Sequence, residues 1–280
     1  MTTKKEFAEN LGEFTGNLRS HVAGEDGQWT VRGFIDVFQN VYTISSDTKI
    51  VSKILEIHLF PQILNFAKSI GYKIVLADHQ NYYPDISFVK ADDESVRFAV
   101  DFKTTYRNPA KPHLCNGFTL GSHGKYFVER TSTKNIQFPY RSYAGHFCLG
   151  IIYDRVDGST IDETRVHRVE ELKSIASVVR NFSFFVEEKW RIASDKGGSG
   201  NTANIGSIKN IDDIVHGRGM FSRLGEEWFD DYWMNYGKIS IPSANGGTRK
   251  IADLADFVRY RRGDAALIVP MRNEVAGAPS

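Results

Sequence analysis

Residues 84–106 read PDISFVKADDESVRFAVDFKTTY, two short β-branched and aromatic runs on either side of a polar turn. Runs of this composition bounded by turn residues are the strands of a hairpin. The turn is Ala91-Asp92-Asp93-Glu94-Ser95, and centring it on residue 93 sets Asp85 opposite Asp101. Directly opposed side chains lie about 5 Å apart. Because side chains alternate across a strand, Asp101 and Lys103 leave from one face and Phe98, Val100 and Phe102 from the other, which suits a buried sheet side. Two like charges at that spacing repel, so the hairpin calls for a compensating positive group. A divalent cation is one such group, and Lys103 stands beside the carboxylates.

This set has a chemistry. Mg2+ is held by one or two carboxylates together with substrate phosphate oxygens and water. The ion polarises a phosphodiester and lowers the pKa of bound water, and a neighbouring lysine stabilises charge building on the phosphate. Asp85, Asp101 and Lys103 are therefore the residue types that metal-assisted phosphodiester hydrolysis needs. On spacing alone a plainer reading stays open: Asp85 ends a loop, and Asp101 and Lys103 form a solvated strand face, since Asp-x-Lys is common by chance.

Outward from the hairpin, residues 29–44 (WTVRGFIDVFQNVYTI) predict another hairpin, broken at Gln39-Asn40. Ser46-Asp47 reads as a helix N-cap, with Ile50, Val51, Ile54 and Leu55 following at helical spacing. Pro61 either kinks this helix or starts a second one ending near Gly71. YKIVLA (72–77) and HFCLGIIYDRV (146–156) predict strands, 169–182 a helix and 184–193 a further strand. Residues 1–28 are polar and mixed, 107–145 irregular, 197–207 (GGSGNTANIGS) glycine-rich, and the tail beyond about 264 frayed. This order predicts one α/β (α+β) domain with a central mixed β-sheet flanked by helices.

Composition sets limits. Among 280 residues, 35 Lys and Arg face 34 Asp and Glu, a net charge of +1. That excludes a polycation and a charge-extended acidic chain, and offers no global attraction to a polyanion. Locally, residues 102–150 hold seven Lys and Arg against Glu129 alone, which predicts a focused, salt-sensitive basic zone following the hairpin. With 41 % apolar residues, 19 Phe and 12 Tyr, the chain can bury a sizeable core. Its two cysteines, Cys115 and Cys148, form no CxxC pair and read as buried thiols. The eight histidines lack HxxxH or HExxH spacing. No apolar h-region opens the chain and no 18-residue apolar run occurs, so a cytoplasmic protein is expected. Asn181-Phe182-Ser183 matches a glycosylation sequon by chance, and no Gly-Lys-Ser/Thr follows the glycines at 197–200, which rejects a P-loop.

HQNYYPD (79–85), FAVDFKTTY (98–106), SDTK (46–49), FTLG (118–121), TKNIQFPY (133–140), KWRIASDKGGSGNTANIGSI (189–208), GRGMF (217–221) and DYWMNY (231–236) together resemble the type II restriction endonucleases of the PD-(D/E)XK superfamily. The resemblance implies a restriction-endonuclease-like fold and a homodimer that cuts both strands of double-stranded DNA. It implies Mg2+, with Mn2+ substituting, and in-line attack of a metal-activated water that leaves a 5′-phosphate and a 3′-hydroxyl. Asp85 and Asp101 match the family's metal-binding carboxylates, Lys103 its catalytic lysine, and Glu56 the helix glutamate beside the site, a third metal ligand and catalytic residue.

Gly198-Ser199-Gly200-Asn201-Thr202 matches the loop that reads base edges in the major groove. Glycines allow close backbone approach, Asn pairs with adenine, and Thr meets a thymine methyl. By the same resemblance the target is GATATC, cut at its centre to blunt ends, with an easily kinked central TA step. Gln80 and Asn81 match a minor-groove loop in which His79 and Tyr82 depart from the family's residues. Thr104, Thr105, Lys134 and Asn204, with Lys49 as a weaker candidate, match backbone contacts that position the duplex. The implied plan has dimerisation elements around 29–45, a catalytic and DNA-binding core over 46–240, and an extension over 241–280 with little resemblance. A cognate DNA methyltransferase is the implied functional companion, in a prokaryotic cell. A repair or recombination nuclease of the same superfamily has no need of a base-reading loop, and a non-catalytic DNA-binding module has no need of Asp85, Asp101 and Lys103.

Overall fold

The computed structural model describes residues 3–79, 81–156, 162–198, 203–243 and 246–272. In chain order the elements are α1 (Lys4–Asn17), α2 (Arg19–Val22), β1 (Gly33–Ile35), β2 (Asn40–Thr43), α3 (Thr48–Ser69), β3 (Tyr72–Leu76), β4 (Ile86–Lys90), β5 (Arg97–Asn108), β6 (Lys111–Cys115), β7 (Thr119–Ser122) and α4 (Lys125–Val128). They continue with β8 (Gly145–Arg155), β9 (Val166–Arg168), β10 (Val179–Glu188), β11 (Ala193–Gly197), β12 (Asn204–Ser207), α5 (Ile211–Val215), α6 (Glu226–Asn235), β13 (Ser240–Pro242), β14 (Thr248–Lys250) and α7 (Leu254–Tyr260). The central mixed sheet, flanked by helices, runs β10-β8-β5-β4-β3, with β6 added on β5. The chain groups into two compact units, Met1–Lys73 with Phe102–Asn116 and Leu149–Val186, and Ile74–Asp101 with Gly117–Cys148 and Glu187–Ser280.

In the first unit, Asp47 caps α3 by accepting from the Lys49 and Ile50 amides at 2.9 and 3.2 Å, as the Ser46-Asp47 signal requires. The helix then runs unbroken through Pro61, burying Val51, Ile54, Leu55, Leu59, Ile63 and Ala67, so no second helix starts there. It ends before Gly71, whose φ of +77° few other residues adopt. The hairpin expected over 29–44 is β1–β2, paired Gly33↔Thr43 to Ile35↔Val41. Asp36 holds its turn, accepting from the Phe38 and Asn40 amides at 2.9 Å. Residues 4–22, expected to be polar and mixed, are helical. Thr3 and Glu6 form a capping box, and Phe7, Leu11, Leu18 and Val22 are fully buried.

The helix expected over 169–182 does not form. A 3-10 turn covers Val169–Ser174, and β10 begins at Val179. Ser177 donates to the Val179 carbonyl at 2.6 Å, and the Trp29 amide approaches both Ser177 Oγ and the Val179 carbonyl, which holds this stretch extended. The strand expected over 184–193 ends at Glu188, where a 3-10 turn over Lys189–Ile192 separates β10 from β11.

In the second unit the apolar centre is built from Phe88, Phe98, Phe127, Phe221 and Trp233, each fully buried. A small sheet runs β11-β12-β7, so β11 is its edge. Residues 265–272, expected to fray, include a 3-10 turn at Ala265–Leu267 and an Arg272 guanidinium tied to Asp213. Cys115 and Cys148 are buried and no disulfide joins them. Among the described residues no helix is long and apolar enough to cross a membrane.

Candidate active site

The β4–β5 ladder pairs Ile86↔Val100, Ser87↔Ala99 and Phe88↔Phe98, the register that follows from a turn centred on residue 93. Asp93 closes the turn: its carbonyl accepts from the Val96 amide at 3.0 Å and its carboxylate from Ser95. One step beyond Ile86↔Val100, the Asp85 amide lies 3.4 Å from Asp101 Oδ1, a long contact that sets the two aspartates side by side. Asp101 is 5 % exposed and Asp85 half-buried. The expected one-sided burial of β5 is not what the structure shows. Ala99 is buried as fully as Phe98 and Val100, so both faces of β5 are covered at this level.

Tyr83 fixes the approach to Asp85. Its amide donates to the Asn135 carbonyl at 3.1 Å, and its carbonyl accepts from the Gln137 amide at 2.8 Å. Its hydroxyl shares a hydrogen bond with His146 Nδ1 at 2.9 Å. The ring stacks on Tyr126, with centroids 5.5 Å apart, and lies 4.4 Å from the ammonium of the buried Lys189. Burial first, then Tyr140 and Asp101, push the Tyr83 hydroxyl well above its ordinary pKa, so it stays neutral. Sequence reasoning missed this layer of Tyr126, Tyr140, His146 and Lys189. Tyr126 and Tyr140 come from a stretch without periodicity, Lys189 from a misread strand and His146 from the start of a correctly expected one, so only long-range packing groups them.

The other expected site residues divide into three groups. Lys103, Thr104 and Thr105 follow Asp101 along β5, with Lys103 on the Asp101 face by strand alternation and Thr105 4 % exposed. Glu56 lies on α3 in the first unit, where Lys53 Nζ approaches its carboxylate to 2.5 Å, while Asp85 and Asp101 belong to the second. Lys49, Asn81 and Lys134 are exposed. Asn204 opens β12, and its carbonyl accepts from the Gly198 amide at 2.7 Å. Gln80, Ser199, Gly200, Asn201 and Thr202 lie outside the described residues.

Among the described residues, no group of three or more His, Cys, Asp and Glu side chains is gathered to hold a metal ion. The donor set nonetheless fits Mg2+, which takes one or two carboxylates and draws its remaining ligands from phosphate and water. The basic zone is weaker than its sequence count. Arg107 pairs with Asp154 at 3.1 Å, Lys125 with Glu129 at 3.4 Å and Arg130 with Asp230 at 2.7 Å, so at least these three cations are matched by acids.

The model of the family described as "Restriction endonuclease EcoRV" matches residues 25–262, most of the chain. The protein is a type II restriction endonuclease, a site-specific deoxyribonuclease. It belongs to the EcoRV family. The type II restriction enzyme EcoRV of Escherichia coli is 36 % identical over 217 residues, which cover 77 % of this chain and 86 % of that enzyme. The solved structure of NlaIV restriction endonuclease aligns with a TM-score of 0.41 and 15 % identity, over 73 % of this chain and 67 % of its own.

Proposed function

We propose that this enzyme is a homodimer that makes a Mg2+-dependent double-strand cut at GATATC, at the centre and with blunt ends. The observation that carries the proposal is the juxtaposition of Asp85 and Asp101, 3.4 Å from amide to carboxylate, on the β4–β5 hairpin. Asp85 and Asp101 would hold the ion, and Glu56 is the third carboxylate that the family resemblance implies. When bound, Mg2+ (or Mn2+) polarises the scissile phosphodiester and acidifies a bound water. Lys103 offers its ammonium to charge developing on the phosphate. Thr104, Thr105, Lys134, Asn204 and Lys49 hold the duplex by its backbone, and Gln80 and Asn81 follow the minor groove. Gly198, Ser199, Gly200, Asn201 and Thr202 read the major groove, and bending at the central TA step adds specificity without contact.

The homodimer rests on the β1–β2 hairpin, where Phe34, Ile35, Val37 and Phe38 are 54, 61, 90 and 74 % exposed. An apolar patch of this kind is the mark of a partner surface. A bacterial cytoplasm and a cognate methyltransferase complete the reading, because an enzyme that cuts a fixed hexamer endangers its own unmodified genome.

Digestion of plasmid DNA with the pure protein and Mg2+, followed by sequencing of the ends, tests this. Discrete fragments with blunt ends inside GATATC are expected. Smears, or cutting confined to branched DNA, support a repair nuclease instead. Specific binding with no cleavage in Mg2+ or Mn2+ supports a non-catalytic binding module.

A further inference from the structure

The glycine-rich stretch follows β11, which pairs with β12 at Ala193↔Ser207 and Gly197↔Ile205 with a register shift between them. The Ile208 and Gly198 amides also donate across, to the Ile192 and Asn204 carbonyls at 2.9 and 2.7 Å. Gly206 comes so close to its partner strand that a Cβ there would sit 2.7 Å from the Lys196 carbonyl. β12 is braced by β7, and the His123 amide donates to the Ala203 carbonyl at 2.8 Å. Among the described residues no strand lies beyond β11. Along that edge the Gly219 and Met220 amides donate to the Arg191 and Ala193 carbonyls at 2.7 and 3.3 Å, and the C-terminal segment holds the part nearer Gly198. The Leu254 amide, first in α7, donates to Asp195 Oδ2 at 3.1 Å, and Lys196 Nζ reaches the Ala252 carbonyl at 3.2 Å. From α6, the Tyr232 hydroxyl donates to the Asp195 carbonyl at 2.8 Å.

Asp195 is 4 % exposed, and its Oδ1 finds no hydrogen-bond donor among the described residues. Burying a carboxylate that is only half satisfied works against stability. Its position explains the arrangement, because it ties the edge strand, three residues before Gly198, to the N-terminus of a helix that is remote in sequence.

We propose that Asp195 is a specificity-positioning residue, and that the C-terminal segment around α7 sets the aim of the base-reading loop through it. This rests on the proposed reading role of Gly198–Thr202. A loop whose ends are held on both sides presents its groups to the base edges in one geometry. Without the Asp195 tie the β11 end is held less firmly, and the correct hexamer loses its advantage over near matches.

The test compares single-turnover cleavage of duplexes carrying GATATC with duplexes altered at one base pair. The readout is the ratio of the two rates. A variant that merely folds less well lowers both rates together and leaves the ratio unchanged. Asp195→Ala is expected to lower the ratio about tenfold, while Asp195→Asn, which keeps an acceptor for the Leu254 amide, stays near wild type. Asp253→Ala removes the side chain that caps α7 by accepting from the Asp256 amide at 2.8 Å, and is expected to lower the ratio about threefold. It serves as the second probe should Asp195→Ala fail to fold. An unchanged ratio in the folded variants overturns the proposal. Asn201→Ala separates the two ideas. If that change also leaves the ratio intact, or the wild type shows no site preference, the reading role of the loop has failed. If Asn201→Ala lowers the ratio and Asp195→Ala does not, only the positioning role has failed.

Discussion

Asp101 shows how the site is paid for at the scale of one residue. Its carboxylate is nearly buried, adjoins Asp85, and is, after burial, one of the charges that push the Tyr83 hydroxyl above its ordinary pKa. Two carboxylates brought together at low exposure work against stability, and the proposed phosphodiester chemistry would give that arrangement a purpose. Asp101→Ala is expected to lower Mg2+-dependent cleavage by about 100- to 1,000-fold or more, while specific binding in EDTA persists. Single-turnover digestion and metal-free gel shifts measure the two, and a variant that still cuts at wild-type rate shows that the site has been misassigned. The pairing of Asp85 with Asp101 was legible in the sequence, because a turn and the two-residue period of a strand fix neighbours without reference to the rest of the chain. Tyr83, Tyr126 and Lys189 were not, because the contacts that group them are set by packing between distant segments.

Elements were legible where a local signal agreed with the final fold. The Asp47 cap and the apolar spacing after it define α3, and the polar step after Asp36 defines the β1–β2 turn. For α1 the signals were equally local: the Thr3–Glu6 box and the buried spacing of Phe7, Leu11, Thr15, Leu18 and Val22 are visible in the sequence, although composition masks them. The segment 169–182 differs in kind. VEELKSIASVV has helix-compatible spacing, but Trp29 and Ser177, 148 positions apart, hold its second half extended. The β1–β2 hairpin also carries a consequence for assembly. Its tip presents Val37 and Phe38 at 90 and 74 % exposure. Phe38→Asp places a charge there and is expected to shift the protein from dimer to monomer in sedimentation at micromolar concentration, and to turn double-strand cuts into nicks. An unchanged mass removes the hairpin from the interface.

Over the whole molecule, the net charge of +1 conceals internal matching. Arg107, Lys125 and Arg130 are paired, as are Arg218 and Arg272, which both meet Asp213. Burial pushes the Asp213 carboxyl up, but hydrogen bonds from Arg272 and Arg218 outweigh it and hold the group below the ordinary carboxylate range. A carboxyl lowered on folding contributes stability above its unfolded pKa of about 3.9, and that contribution is lost as pH falls through the lower folded value. Arg272→Ala is therefore expected to lower the melting temperature at neutral pH, with the gap from wild type closing as the pH falls below the ordinary carboxylate range. A gap that stays constant into acid rejects this linkage. By itself the sequence determined the β4–β5 hairpin, its register and the capped helix that carries Glu56, since each depends on periods and caps that act over a few residues. Only the tertiary structure decided that β5 is buried on both faces, that 175–179 is extended, and that the C-terminal segment braces the edge of β11 through Asp195. Those outcomes depend on which distant surfaces meet, and no local period encodes that.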